Sequence, residues 1–146
     1  MRIIKNCRLQ TMRSLFFLVI IFCFISCGRS KTEDLIKGKK WEVYDVTPPA
    51  GVFNIEDANR ASDLKNGFYK EAWFKFLSDG IFVASFEGKA DTGRYQISSN
   101  GKMISLYPKH GKDVYEQIQI QHLTNDKMDF NTIVADFNLV LHLKTE

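Results

Sequence analysis

Thr92-Gly93-Arg94-Tyr95-Gln96-Ile97-Ser98, followed by Ser99-Asn100-Gly101 and a further candidate strand over 102–107, is the stretch that decides the fold. Successive side chains of an extended chain point to opposite sides. Tyr95 and Ile97 therefore share one face, and Arg94, Gln96 and Ser98 share the other. That alternation marks a half-buried strand, and the Asn100-Gly101 pair supplies the positive φ that a tight hairpin requires.

The same grammar extends in both directions. Strands are expected at about 40–47, 71–77, 81–87, 92–98, 102–107, 114–123, 127–132 and 136–144. Ser78-Asp79-Gly80, His110-Gly111 and Thr124-Asn125-Asp126 provide further turns. Met128 and Phe130 oppose Lys127, Asp129 and Asn131, while Phe137, Leu139, Leu141 and Leu143 alternate with Asn138, Val140, His142 and Lys144. A one-residue slip would turn each apolar set to water, so register is strongly specified. Sequential hairpins of similar length without a βαβ signal predict an all-β fold, an eight-stranded antiparallel up-and-down barrel whose closure removes the sheet edges. The hairpin from Ala72 to Phe86 is apolar on both faces, so its outer face is expected to meet the N-terminal turn or the long connection between strands one and two.

That connection, Thr47 to Lys70, is the long interruption of the meander. Pro48-Pro49 ends the first strand because consecutive prolines donate nothing to a ladder. A helix is expected next, with Asn54 as N-cap, Glu56 and Asp57 in its first turn, Ile55, Ala58, Ala61 and Leu64 on its apolar face, and Asn66-Gly67 as stop. Long connections in compact domains are usually functional or disordered; lid and surface decoration are both open here.

The N-terminus carries a different message. Arg2, Lys5, Arg8 and Arg13 precede an apolar run from Leu15 to Ile25, too short for the roughly 20 residues of a membrane span and organised as a secretory signal. Phe24-Ile25-Ser26-Cys27 resembles a lipobox, and the resemblance implies that Cys27 becomes the lipid-bearing N-terminus after removal of 1–26. Met12 offers an alternative start. Residues 27–34 are expected as the lipidated N-terminus and tether, and 35–146 as the barrel domain. Glu33-Asp34 after Lys31 resembles the signals that send some Bacteroidota lipoproteins to the cell surface, or else favours the first turn of a short helix through Ile36.

Processing changes the charge argument. Four of the 20 basic residues and none of the 17 acidic ones lie in 1–26, leaving 16 against 17, a net charge of −1. No basic footprint for nucleic acid remains. Cys7 and Cys23 leave with the signal and Cys27 takes lipid, so no disulfide or cysteine-based metal site is expected in the monomer.

Leu35-Ile36-Lys37-Gly38-Lys39-Lys40-Trp41, Ser78-Asp79-Gly80, Thr92-Gly93-Arg94-Tyr95 and Leu123-Thr124-Asn125-Asp126-Lys127-Met128 together resemble the lipocalin-like lipoproteins of Bacteroidota. Lipocalins carry Gly-x-Trp at the first strand; here Gly38 and Trp41 stand one residue further apart. The resemblance implies Trp41 as the plug of the barrel base, residues 48–70 as a loop over the open mouth, and attachment to the outer membrane through the lipid.

Catalytic patterns are absent from the sequence: His110 lies in a turn, His122 and His142 fall on different strands, and there is no nucleophile elbow, His-Glu-x-x-His helix or phosphate loop. His122 shares parity with Ile118 and Ile120 and is expected to face inward. No enzyme activity, metal or cofactor is implied. The leading expectation is an envelope lipoprotein holding a small apolar ligand against Phe74, Phe76, Tyr95 and Met128; the alternative is an accessory module whose barrel is filled by these side chains and which docks an envelope protein. The 15 aromatic residues left after processing favour a filled interior.

Overall fold

The computed structural model of the chain describes residues 31–51 and 54–146; Cys27 and the expected signal lie outside the described residues, as does Phe53. Eight strands follow one another, β1 (Lys40–Thr47), β2 (Trp73–Phe76), β3 (Ile81–Phe86), β4 (Lys89–Ile97), β5 (Met103–Pro108), β6 (Glu116–Leu123), β7 (Lys127–Val134) and β8 (Phe137–Thr145). Each pairs antiparallel with the next, and β8 returns to β1 to close the barrel. This is the up-and-down barrel that the alternation predicts, with strand ends displaced by at most three residues.

The inward faces pair as period two dictates. Phe74 lies opposite Ala84, Phe76 opposite Phe82, Tyr95 opposite Leu106, Ile104 opposite Ile118, Met128 opposite Leu143 and Phe130 opposite Leu141. On the outer face of the β2–β3 hairpin Trp73, Lys75, Ile81 and Val83 are half-buried. Lys40 of the neighbouring β1 stands over the Trp73 ring at 5.9 Å, and the backbone of Lys37 bridges to Phe76.

Two irregularities redirect side chains. In β1 the register shifts between Val43 and Asp45, which leaves Tyr44 exposed and returns Val46 to the core. In β6 it shifts between Ile120 and His122. A bulge places one extra residue in a strand and so reverses parity beyond it. The inward orientation expected for His122 is thereby corrected: the side chain is exposed.

A helix closes each end. Helix α1 (Lys31–Ile36) begins within the segment expected as a tether, and Thr32 Oγ1 donates to the Gly101 carbonyl at 2.8 Å. Ile36 is fully buried, the Gly38 amide donates to the Phe76 carbonyl at 2.7 Å, and Trp41 Nε1 donates to the Ile36 carbonyl at 3.0 Å. Helix α2 (Ile55–Asn66) lies at the opposite end, between β1 and β2 in the chain. Asn54 caps it, its side chain accepting from the Glu56 amide at 3.0 Å, and the Gly67 amide closes onto Asp63. Its apolar stripe is narrower than expected: Ala61 is buried and Leu64 packs on the core, but Ile55 is exposed. Lys65 pairs with Asp45 of β1 at 2.8 Å, and the Arg60 guanidinium sits 3.8 Å from the Phe137 ring centre.

Candidate functional site

The barrel interior is the first place to seek a ligand. Eight strands enclose a space that side chains either fill or leave open for one small molecule. Here Phe76 and Met128 are fully buried, and Phe74 and Tyr95 retain 5% and 6% of their accessible surface. Trp41, Ile104, Leu106, Ile118, Phe130, Leu139, Leu141 and Leu143 are equally sealed. A hollow wide enough for water would leave accessible area on its lining, so these residues pack against one another. Phe76 meets Tyr95 edge to face at 5.2 Å, and Phe74 meets Phe130 at 5.8 Å. The four residues expected to hold a ligand are thus brought inside the barrel, but as parts of its core. Tyr95 also donates its hydroxyl to the Leu77 carbonyl at 2.8 Å, and burial raises its pKa. Trp41 seals the α1 end of the same core.

Toward α2 the interior changes character. Phe68 stacks on Phe86 at 4.8 Å, Tyr69 meets both edge-on, and Phe86 meets Phe74 at 5.4 Å. Rings therefore touch in series from the half-exposed Phe68 to the central Phe130. Beside this series Thr132 Oγ1 donates to the Glu116 carboxylate. Burial raises the Glu116 pKa, and the hydroxyl only partly offsets it. Burial and the nearby Glu116 charge likewise push the Tyr69 phenol up. Glu116 escaped the sequence reading although Glu116-x-Ile118-x-Ile120 already places it on the inward face.

The outer wall holds a second constellation that sequence reasoning did not assemble. Asp129 Oδ1 lies 2.8 Å from His142 Nδ1, and His142 Nε2 lies 2.9 Å from Thr47 Oγ1. Carboxylate, imidazole and hydroxyl stand in the order of a general-base relay, spanning β7, β8 and β1. The outward parity of Asp129 and His142 was legible; their direct opposition depends on the β7–β8 register, and Thr47 arrives only through the β1 bulge and barrel closure. His110 is exposed in the loop after β5. Among the described residues no group of three or more His, Cys, Asp or Glu side chains is placed to hold a metal ion.

Three surface clefts stand out among the described residues. An apolar one of about 210 Å³ runs between α2 and the β7–β8 turn, lined by Arg60, Asp63, Leu64, Val134, Ala135 and Phe137. One of about 330 Å³ lies along β1 and β2 at Lys40, Glu42 and Trp73. The largest of the three, about 440 Å³, is polar and lies on the outer face of β4 and β5. None of the three is lined by Thr47, Asp129 or His142.

No protein-family model and no curated protein matches this chain. Among solved structures it is similar to a duf4847 family protein from Bacteroides vulgatus, with a TM-score of 0.51 and 10% identity, over 77% of this chain and 95% of the other. At that identity the likeness concerns the fold alone.

Proposed function

We propose that this chain is a lipid-anchored protein of the bacterial cell envelope, held at the outer membrane, whose packed barrel presents its α2 end to a partner protein. The observation that carries the reading is the division of apolar surface. Inside, the side chains leave no accessible area for a guest; outside, five of the exposed large apolar residues, Ile55, Phe68, Val114, Tyr115 and Ile133, belong to segments at the α2 end. Exposed apolar side chains gathered at one end are a mark of an interaction surface. The lipobox resemblance adds an orientation. Lys31 follows Cys27 by four positions, a reach of about 14 Å at full extension, so an acylated Cys27 holds the α1 end against the bilayer and turns the α2 end away from it.

Site-specific photo-cross-linking in the native host tests this. Probes at Ile55, Tyr115 and Ile133 are expected to capture one common envelope protein, while a probe at Lys75 on the barrel wall captures none. Equal capture from both places would overturn the reading. A second reading, binding of a small apolar ligand, is favoured by the ring series from Phe68 to Phe130, which would open a path inward if Phe68 and Phe86 swung aside. Lipid co-purifying in one-to-one ratio with the native protein, lost when Phe68 is replaced by Trp, would favour that reading over the first.

A further inference from the structure

The polar cleft on the outer face of β4 and β5 lies outside the barrel interior, and none of the five apolar residues assigned to the partner surface lines it. Its floor is a row of outward side chains, Arg94, Gln96 and Tyr107, with Arg94 directly opposite Tyr107 in the ladder. The β2–β3 turn contributes Asp79 and Gly80 to the lining, and the loop after β5 contributes Lys112. That loop is held against the wall because Arg94 Nη2 donates to the Gly111 carbonyl. Tyr107 donates its hydroxyl to Gln96 Oε1 at 3.2 Å, which fixes the phenol ring across the strands. Neither Arg94 nor Lys112 has a carboxylate partner among the described residues. The volume, about 440 Å³, falls in the range of about 300–1,000 Å³ typical of small-molecule sites.

We propose that this cleft binds an acidic saccharide, a sugar chain carrying a carboxylate. Three features select that chemistry together. Two cations without acidic partners, one of them an Arg fork whose head is already anchored, suit an oxyanion. The Tyr107 ring, with the Arg94 guanidinium 6.0 Å from its centre, sets an apolar surface beside a cation, which suits the C–H face of a pyranose next to its carboxylate. Asp79 argues against a bare anion, which it would repel, and for a ligand with hydroxyl donors; Gln96, whose Oε1 accepts from Tyr107, offers its amide NH2 to hydroxyl oxygens of such a ligand.

Isothermal titration of the mature, lipidated chain in detergent, with tetragalacturonate as the probe, tests the proposal. Binding is expected with a Kd below about 1 mM, weakening as salt rises because the charges are exposed. Lys112→Ala is expected to weaken it about tenfold, in line with the loss of one charge-assisted hydrogen bond. Tyr107→Ala is expected to abolish it, while Tyr107→Phe, which keeps the ring, is expected to retain it. Lys112 is exposed on a loop, so its variant keeps the comparison valid even if the Tyr107→Ala chain melts. Absence of binding would overturn the proposal, as would retention of affinity in Lys112→Ala. Equal binding of neutral maltotetraose would remove the acidic requirement and overturn it. Equal binding of acetate or inorganic phosphate would reduce the cleft to a simple anion site and overturn it equally.

Discussion

Gly93 stands where the inner and outer constraints of the wall meet. It faces inward opposite Phe82, and a Cβ built there would overlap both the Phe82 ring and the Tyr107 carbonyl of the neighbouring strand. The ring can shift, but the ladder carbonyl cannot without breaking pairing. Gly93→Ala is therefore expected to destabilise the domain by about 1–3 kcal/mol, the usual range for overpacking, as read from urea denaturation. Ala135 presents the reverse case. It and Asp136 form the β7–β8 turn with φ of 48° and 69°, a region where a Cβ costs about 1–2 kcal/mol. Glycine avoids that penalty at some cost in unfolded-state entropy, so Ala135→Gly is expected to raise stability by about 0.5–1 kcal/mol. Glu116 makes stability pH-dependent. Its folded pKa is raised, so the native state binds more protons than the unfolded state across the interval above the unfolded value. Stability from this group accordingly falls as pH rises from about 4.3 through the folded pKa. Glu116→Gln is expected to remove that slope in chemical denaturation measured from pH 4 to 8; a parallel slope in both chains would contradict it.

The two helices hold the barrel ends by different means. At the α1 end a fully buried indole donates to the last turn of the helix, so Trp41 packing and the Ile36 hydrogen bond are lost together on truncation. Trp41→Ala is expected to cost about 3–5 kcal/mol. Helix α2 rests on Ala61 and the flank of Leu64, with an ion pair at Lys65 and the Arg60 guanidinium over Phe137. Exposed ion pairs contribute about 0–1 kcal/mol each. Replacement of Ile55–Asn66 by a short Gly-Ser link, with Phe68 and Tyr69 kept, is therefore expected to lower stability less than Trp41→Ala does, as compared by urea midpoints of the two chains. The helix itself was legible because Asn54, Glu56, Asp57 and Gly67 are local signals that act through adjacent backbone groups. The β7–β8 turn was less legible: Val134-Ala135-Asp136-Phe137 has neither Gly nor Asn at the positions of positive φ. The turn forms because eight paired residues on each side of it impose the reversal.

Across the whole molecule, the proposed membrane attachment rests on Cys27, which lies outside the described residues. Cys27→Ser is expected to accumulate as an unprocessed precursor lacking acyl chains, whereas the native chain partitions with membranes and needs detergent for release, because several acyl chains anchor stably where one is marginal. Mass spectrometry of the N-terminus and fractionation check both outcomes; an unlipidated, freely soluble native chain would refute the attachment. The sequence by itself determined the strands, their faces away from the bulges and the turns marked by Gly or Asn, since alternation and Asn-Gly chemistry are encoded within a few neighbouring residues. The tertiary structure decided the rest. Closure between β1 and β8 joins residues as far apart as Trp41 and Thr145, and the bulges at Val43/Asp45 and Ile120/His122 reverse parity without a composition signal. Whether Phe74, Phe76, Tyr95 and Met128 line a cavity or fill it depends on the summed volume of side chains from all eight strands. The meeting of Thr47, His142 and Asp129, and of Arg94, Tyr107 and Lys112, depends on register and on where a loop folds back. Such quantities are set by long-range packing, which no local pattern of residues specifies.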